Sequence, residues 1–347
     1  MIDLKNFIKI IPTILIVISF KCFSQNEVEF VLSDFRKTIE LKGEALKFVD
    51  PFLDPSRILL QDSLLFVSNS NVTPSVDVFS INTGKRIARF CKRGRGPGEL
   101  VFPFSTQIVD LNNEFMVHDL NGKKIVLYSL DLILSDNDKK FTEIINVSDI
   151  YPRKIVQINS NRYFCGLIGH EDGFMNCIID STGSVVKFLN KFPDVGLQYN
   201  TTIASNIFST NIGISDNNEN IIVPYNYWDR IDLFQNNGDF RLILKGPNYK
   251  KLDVIKKNGR VVKTSNNNRS YNYPVANDKF FIIPYSGKKR DHRGPSYTNL
   301  FQFDFKGSPL VHYTLDVPIF DIAVDWGNRI IYGLNIESEP ILYKFSF

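Results

Sequence analysis

Cysteine is scarce in this chain, with four in 347 residues, one of them (Cys22) inside an apolar leader-like N-terminus. A fold stapled by disulfides is therefore excluded. Histidine is equally thin: His118, His170, His292 and His312 are scattered, with no His-x-x-x-His or Glu-x-x-His pairing of the kind that holds zinc. There is no Gly-x-Ser-x-Gly elbow, so the serine-hydrolase signature is missing too. No charge sign dominates, since 41 Lys and Arg oppose 37 Asp and Glu for a net +4. Global charge thus selects no polyanion, and nucleic acid is not an expected partner. Only one long apolar run exists, Ile10 to Phe20. It is interrupted by Pro12 and falls well short of the ~20 residues that a membrane-spanning helix needs. Sustained 3.6-residue periodicity is absent outside it.

The leader itself has a meaning. Lys5 and Lys9 precede the apolar run, and Cys22-Phe23-Ser24 offers small residues for cleavage before Gln25. Residues 1–24 read as a secretory signal, leaving a mature domain over 25–347 in the periplasm or at the cell surface. A lipid anchor on Cys22 is the rival reading, but it needs a small residue just before the cysteine, and Lys21 stands there. Cleavage removes three lysines and one aspartate, so the mature chain carries only +2.

What the sequence does have is a repeat. A short apolar run, a polar turn and a second apolar-aromatic run recur six times, starting at Arg57, Gln107, Lys154, Asn211, Tyr273 and Phe320. The turns carry the Asn, Asp and Ser clusters that close hairpins. A third run then leads into a turn aligned on Gly84, Gly183, Gly238 and Gly307, where a tight hairpin needs positive φ. A fourth run follows. Four antiparallel strands at intervals of ~50 residues make the blade of a propeller, so the expectation is an all-β, six-bladed β-propeller. A β-sandwich does not explain six repeats. The last repeat stops at its third strand, 341–347, and the otherwise unassigned Arg36–Leu41 is expected to complete that blade. Lys250–Ser270 reads as an insertion between blades four and five.

Two stretches carry a family likeness: CKRGRGPGELVFP (91–103) and LFQFDFKGSPLVHYTLDVPIFDIAVDWGNRIIYG (300–333). They resemble the TolB-like six-bladed propellers exported by Bacteroidetes. The resemblance implies the fold and export but no activity, because most such members have no known function.

Candidate sites follow from charge and side-chain type. Gly94-Arg95-Gly96-Pro97-Gly98 is no dinucleotide loop, since Pro97 and a following strand replace the helix that would hold a pyrophosphate; an inter-blade turn is expected, with Arg93, Arg95 and Glu99 as clamps or ligand contacts. Lys250–Ser270 holds seven basic residues against Asp253, among them Lys256, Lys257 and Arg260, in a hairpin turning near Asn258-Gly259. Lys288, Lys289, Arg290 and Arg293 form a second cluster in the blade-five loop. Propeller connectivity assigns both to one face, which suits an anionic glycan or an acidic protein partner. The alternative is that these lysines simply keep loops solvated. Tyr225, Trp228 and Tyr285 are read either as a sugar-stacking platform or as packing between blades. Asn69, Asp119, Asn226 and Asn335 end second strands and are the oxygen ligands that a calcium-dependent hydrolase, lactonase or lyase would use. Cys165 and Cys177 fall on consecutive strands and are a disulfide candidate. The preferred reading is a monomeric, non-enzymatic binding propeller without cofactor; the metal-dependent enzyme is its rival.

Overall fold

The computed structural model describes residues 27–109, 113–135, 141–147, 149–194, 196, 200–258, 260–289 and 296–347. The signal and anchor readings of residues 1–24, and Arg290, His292 and Arg293, lie outside them.

Six antiparallel sheets succeed one another along the chain. Blade one comprises Pro55–Gln61, Leu64–Asn69, Val76–Ser80 and Arg86–Phe90; blade two Pro103–Val109, Glu114–Asp119, Lys124–Ser129 and Phe141–Asn146. Blade three comprises Pro152–Asn159, Arg162–Leu167, Asn176–Asp180 and Val185–Phe188; blade four Gly213–Ile214, Asn220–Pro224, Arg230–Gln235 and Phe240–Lys245. Blade five has Val275–Ala276, Phe280–Tyr285, Tyr297–Asp304 and Pro309–Ile319, and blade six Asp321–Asp325, Ile330–Asn335 and Ile341–Ser346. The first strands of successive blades adjoin around an axis, blade six meeting blade one. The chain is therefore a six-bladed propeller.

The strand sequences explain this stacking. Second strands such as EFMVHD and FFIIPY are almost wholly buried, because a blade is covered on both faces. Apolar side chains from adjacent blades meet in six separate cores. The blade six–blade one core pairs Ile58, Val67 and Phe79 with Ala323, Leu334 and Leu342, which seals the ring.

The four aligned glycines have φ between +65° and +87°. Sequence pattern explains their conformation but not their surroundings. A Cβ on Gly183 would stand 1.9 Å from the Asn146 carbonyl oxygen, and one on Gly307 would stand 2.7 Å from Leu244 Cδ2. Each of these turns lies against the outer edge of the preceding blade, where a side chain has no room.

The N-terminal segment departs from expectation. Lys37–Leu41 does not complete blade six; it runs parallel to Pro309–Ile319 as a fifth, outermost strand of blade five. Glu27–Glu29 adds to blade four in the same way. The fourth strand of blade six is Glu44–Ala45, antiparallel to Tyr343 and Lys344. The reason is that every blade offers a free outer edge, not only the one left short of a strand. Leu41 gains burial between blades five and six, and Phe30 and Phe35 enter the blade four–five core. Two short helices, Leu130–Leu134 and Thr201–Ile207, are capped by Ser129 and Asn200 and are too brief to show a helical period.

Candidate ligand-binding site

Loops from second to third strand and from blade to blade share one face, called here the first face. The Gly-Arg-Gly-Pro-Gly-Glu element is a tight inter-blade turn on it. Glu99 Oε2 accepts the Gly96 amide at 2.9 Å, and a Cβ on Gly94 would lie 2.0 Å from that oxygen. Arg93 is a clamp: its Nη2 donates to the Ser70 carbonyl and its Nε to Ser75 Oγ at 3.3 Å. Arg95 is exposed.

The insertion forms the expected hairpin, Val254–Lys257 with Arg260–Lys263, with Asn258 at φ +51° in the turn. Its inner side is anchored, since Leu252 and Val261 pack with Ala204, Ile207 and Phe208 beside helix Thr201–Ile207. Lys256, Lys257 and Arg260 are left in solvent. The blade-five loop is physically joined to this insertion: Arg269 N donates to the Lys288 carbonyl at 2.8 Å, and Asn268 bridges Lys289. Two basic segments, separate in sequence, thus form one surface.

The aromatic platform is corrected by burial. Tyr225 is 1% exposed and hydrogen-bonds Asp232 Oδ2 at 3.0 Å; Tyr285 is 5% exposed and donates to Asp229 Oδ2 at 2.8 Å. Both are core residues whose hydroxyls satisfy buried carboxylates. Trp228 is half-buried and stacked on Tyr249 at 5.5 Å. The ring that faces the cations is Tyr227, with Lys263 Nζ 3.6 Å and Arg269 Cζ 5.7 Å from its centroid.

The oxygen-ligand candidates sit in four different blades. Asn69 Oδ1 accepts the Asp54 amide at 3.1 Å, and Asn335 Oδ1 the Glu337 amide at 3.0 Å. Asp119 accepts the amides of Val101, Phe102 and Gly122 at 2.7–2.9 Å. These three tie down local backbone. Asn226 Oδ1 is buried without a hydrogen-bond partner among the described residues. Cys165 and Cys177 lie directly opposite one another, fully buried, and are present as thiols.

Sequence reading passed over a cluster on the axis. Lys154 is 7% exposed, and its Nζ hydrogen-bonds Tyr273 Oη. Arg57 lies 3.7 Å above the same tyrosine ring and pairs with buried Asp321 at 2.9 Å. Burial, with Arg153 and Arg57 adding to it, holds the Lys154 ammonium well below the usual lysine range. Burial also raises the Asp321 carboxyl, against the pull of Arg57. The available signal was that four of the repeat's apolar first runs open on polar residues, Arg57, Gln107, Lys154 and Asn211.

The chain belongs to the DUF5128 family of 6-bladed beta-propellers, whose model matches residues 50–237. It is similar in fold to a Bacteroides fragilis protein whose name assigns it to the exported class. That structure shares 12% identity at a TM-score of 0.57, over 92% of this chain and 99% of that one. The structure of U3-55K shares 8% identity at 0.50, over 88% and 98%. No curated protein matches the chain. No helix among the described residues is long and apolar enough to cross a membrane.

Proposed function

We propose that this is an exported binding propeller that captures an acidic or sulfated glycan on its first face. The observation that carries the reading is the junction of insertion and blade-five loop through Arg269, Lys288, Asn268 and Lys289. It concentrates Lys256, Lys257, Arg260 and Lys289 in solvent on a chain whose mature net charge is only +2. Such a local field raises the concentration of an anionic partner and speeds its capture. Tyr227, already flanked by Lys263 and Arg269, adds an aromatic surface to the same region. The leader over residues 1–24 and the TolB-like likeness of 91–103 and 300–333 support an extracytoplasmic setting, where glycans are the abundant polyanions.

Mature chain (25–347) is expected to bind a heparin column at low salt. Reversing Lys256, Lys257, Lys289 and Arg290 to Glu should abolish retention while leaving Tm nearly unchanged. A wild-type chain that flows through unretained would refute the reading.

A further inference from the structure

The axial channel is closed by charge at one end and open at the other. At the first face, Lys154 of blade three reaches Tyr273, at the threshold of blade five. Its Nζ lies 4.1 Å from the centroid of Phe104 of blade two. Arg57 of blade one covers the same tyrosine and pairs with Asp321 of blade six, whose second oxygen accepts the Ile58 amide at 2.9 Å. Arg153 adds a third cation, its Nη1 donating to the Ser205 carbonyl at 2.8 Å. Three basic side chains therefore gather near one carboxylate at the mouth.

Below this lattice the channel encloses about 180 Å³ between Arg57, Thr106, Ile108, Gln157, Ile214 and Val324. It continues past Leu60, Val275 and Val324 into a funnel of about 1130 Å³ that opens on the second face, beside Trp326. Two polar groups on the channel wall are unanswered among the described residues. Arg57 Nε is buried with no hydrogen-bond partner, and so are both polar atoms of the Gln157 carboxamide. Gln107 does not relieve Gln157, because it bonds only to that residue's main chain: its Nε2 donates to O at 3.2 Å and its Oε1 accepts from N at 2.7 Å.

Buried cations are costly unless an anion and hydrogen-bond acceptors answer them. Asp321 is the one carboxylate that the described residues place against Arg57 and Lys154, so the closed end of the channel is net basic. A cavity of about 150 Å³ takes benzene, so this volume suits a body of roughly six carbons and excludes a polysaccharide. We propose that the axial channel is a second, separate site that binds a small organic acid of about six carbons. Its carboxylate meets Arg57 and Gln157, both of which line the cavity. Lys154, above the cavity, adds a basic group to the closed end, and the carbon body lies against Ile108, Ile214 and Val324. Access is from the second face, remote from the basic loops.

Calorimetric titration of the mature chain with hexanoate and gluconate, against hexan-1-ol and sorbitol, tests this. At least one acid should bind about tenfold more tightly than its neutral counterpart. Arg57→Gln and Lys154→Met should each weaken that acid about tenfold or more. Lys154→Met removes a buried amine at similar volume, so it should melt at or above wild type, and it decides the matter if Arg57→Gln fails to fold. The proposal is overturned if neither acid binds at about 10 mM, if the neutral compounds bind equally, or if Lys154→Met leaves affinity unchanged. The fourfold loop reversal should keep its acid affinity, which separates this site from the glycan reading.

Discussion

His118 shows what burial does to one side chain. It is fully buried on the second strand of blade two, and neither ring nitrogen has a hydrogen-bond partner among the described residues. Burial pushes its pKa down to about 3, with Asp119 opposing and nearby Lys154 reinforcing the shift. Between the ordinary value near 6.5 and that depressed value, the unfolded chain binds a proton that the folded chain refuses. Stability from this residue is thus complete above about pH 6.5 and is lost as pH falls toward 3, at up to about 1.4 kcal/mol per unit. His118→Leu fills similar space and removes the titration. It should raise Tm by several degrees more at pH 5 than at pH 8, as calorimetry at the two values would show; an equal gain at both would clear His118 of the acid sensitivity.

Cys165 and Cys177 show what pairing does to an element. Directly opposite residues on antiparallel strands have Cα atoms about 4.5–5.5 Å apart, within disulfide range. Yet the pair faces the blade two–three core, and burial, with the neighbouring Cys177, raises the Cys165 thiol far above its usual range. A thiol so poor in thiolate does not exchange. A bridge between them can therefore form only before packing. Unfolding and labelling without reductant should count three thiols after oxidant treatment of folded residues 25–347, but one, Cys91, after refolding with oxidised glutathione. Three thiols in both preparations would exclude the bridge.

The N-terminal segment shows how the whole molecule is held shut. From Glu27 to Ala45 it crosses the outer edges of blades four, five and six in turn. Phe30 packs 5.0 Å from Phe303, and Phe35 packs 4.9 Å from Phe301, so two rings from the strap enter an inter-blade core. Truncating such a ring costs about 3–5 kcal/mol. Phe30→Ala should lower the unfolding free energy by that amount in a single transition, read as a lower denaturant midpoint at unchanged slope. Deletion of residues 25–45 should leave blade six a strand short, with dye-binding apolar surface and no sharp melt. A truncated chain that melts as cooperatively as wild type would show that the inter-blade cores close the ring unaided.

Much of this was legible in the sequence because it is local. Six recurring hairpin patterns give six blades, aligned glycines mark the turns that need positive φ, and Asn258-Gly259 marks the inserted hairpin. The alignment of Cys165 with Cys177 needed only the period of a strand and the length of a loop. The rest depended on which distant segments meet. Lys37–Leu41 reads as a strand wherever it pairs, and its partner was decided by the space available to Leu41 and Phe35. Tyr225 and Tyr285 look like a platform until Asp232 and Asp229 draw them inward. The axial cluster joins Arg57, Phe104, Lys154, Tyr273 and Asp321 from five blades, and no spacing along the chain could align them. The sequence by itself determined the blades, because a hairpin is encoded by neighbours. Only the closed ring decided which charges share an axis, because that depends on six sheets meeting at once.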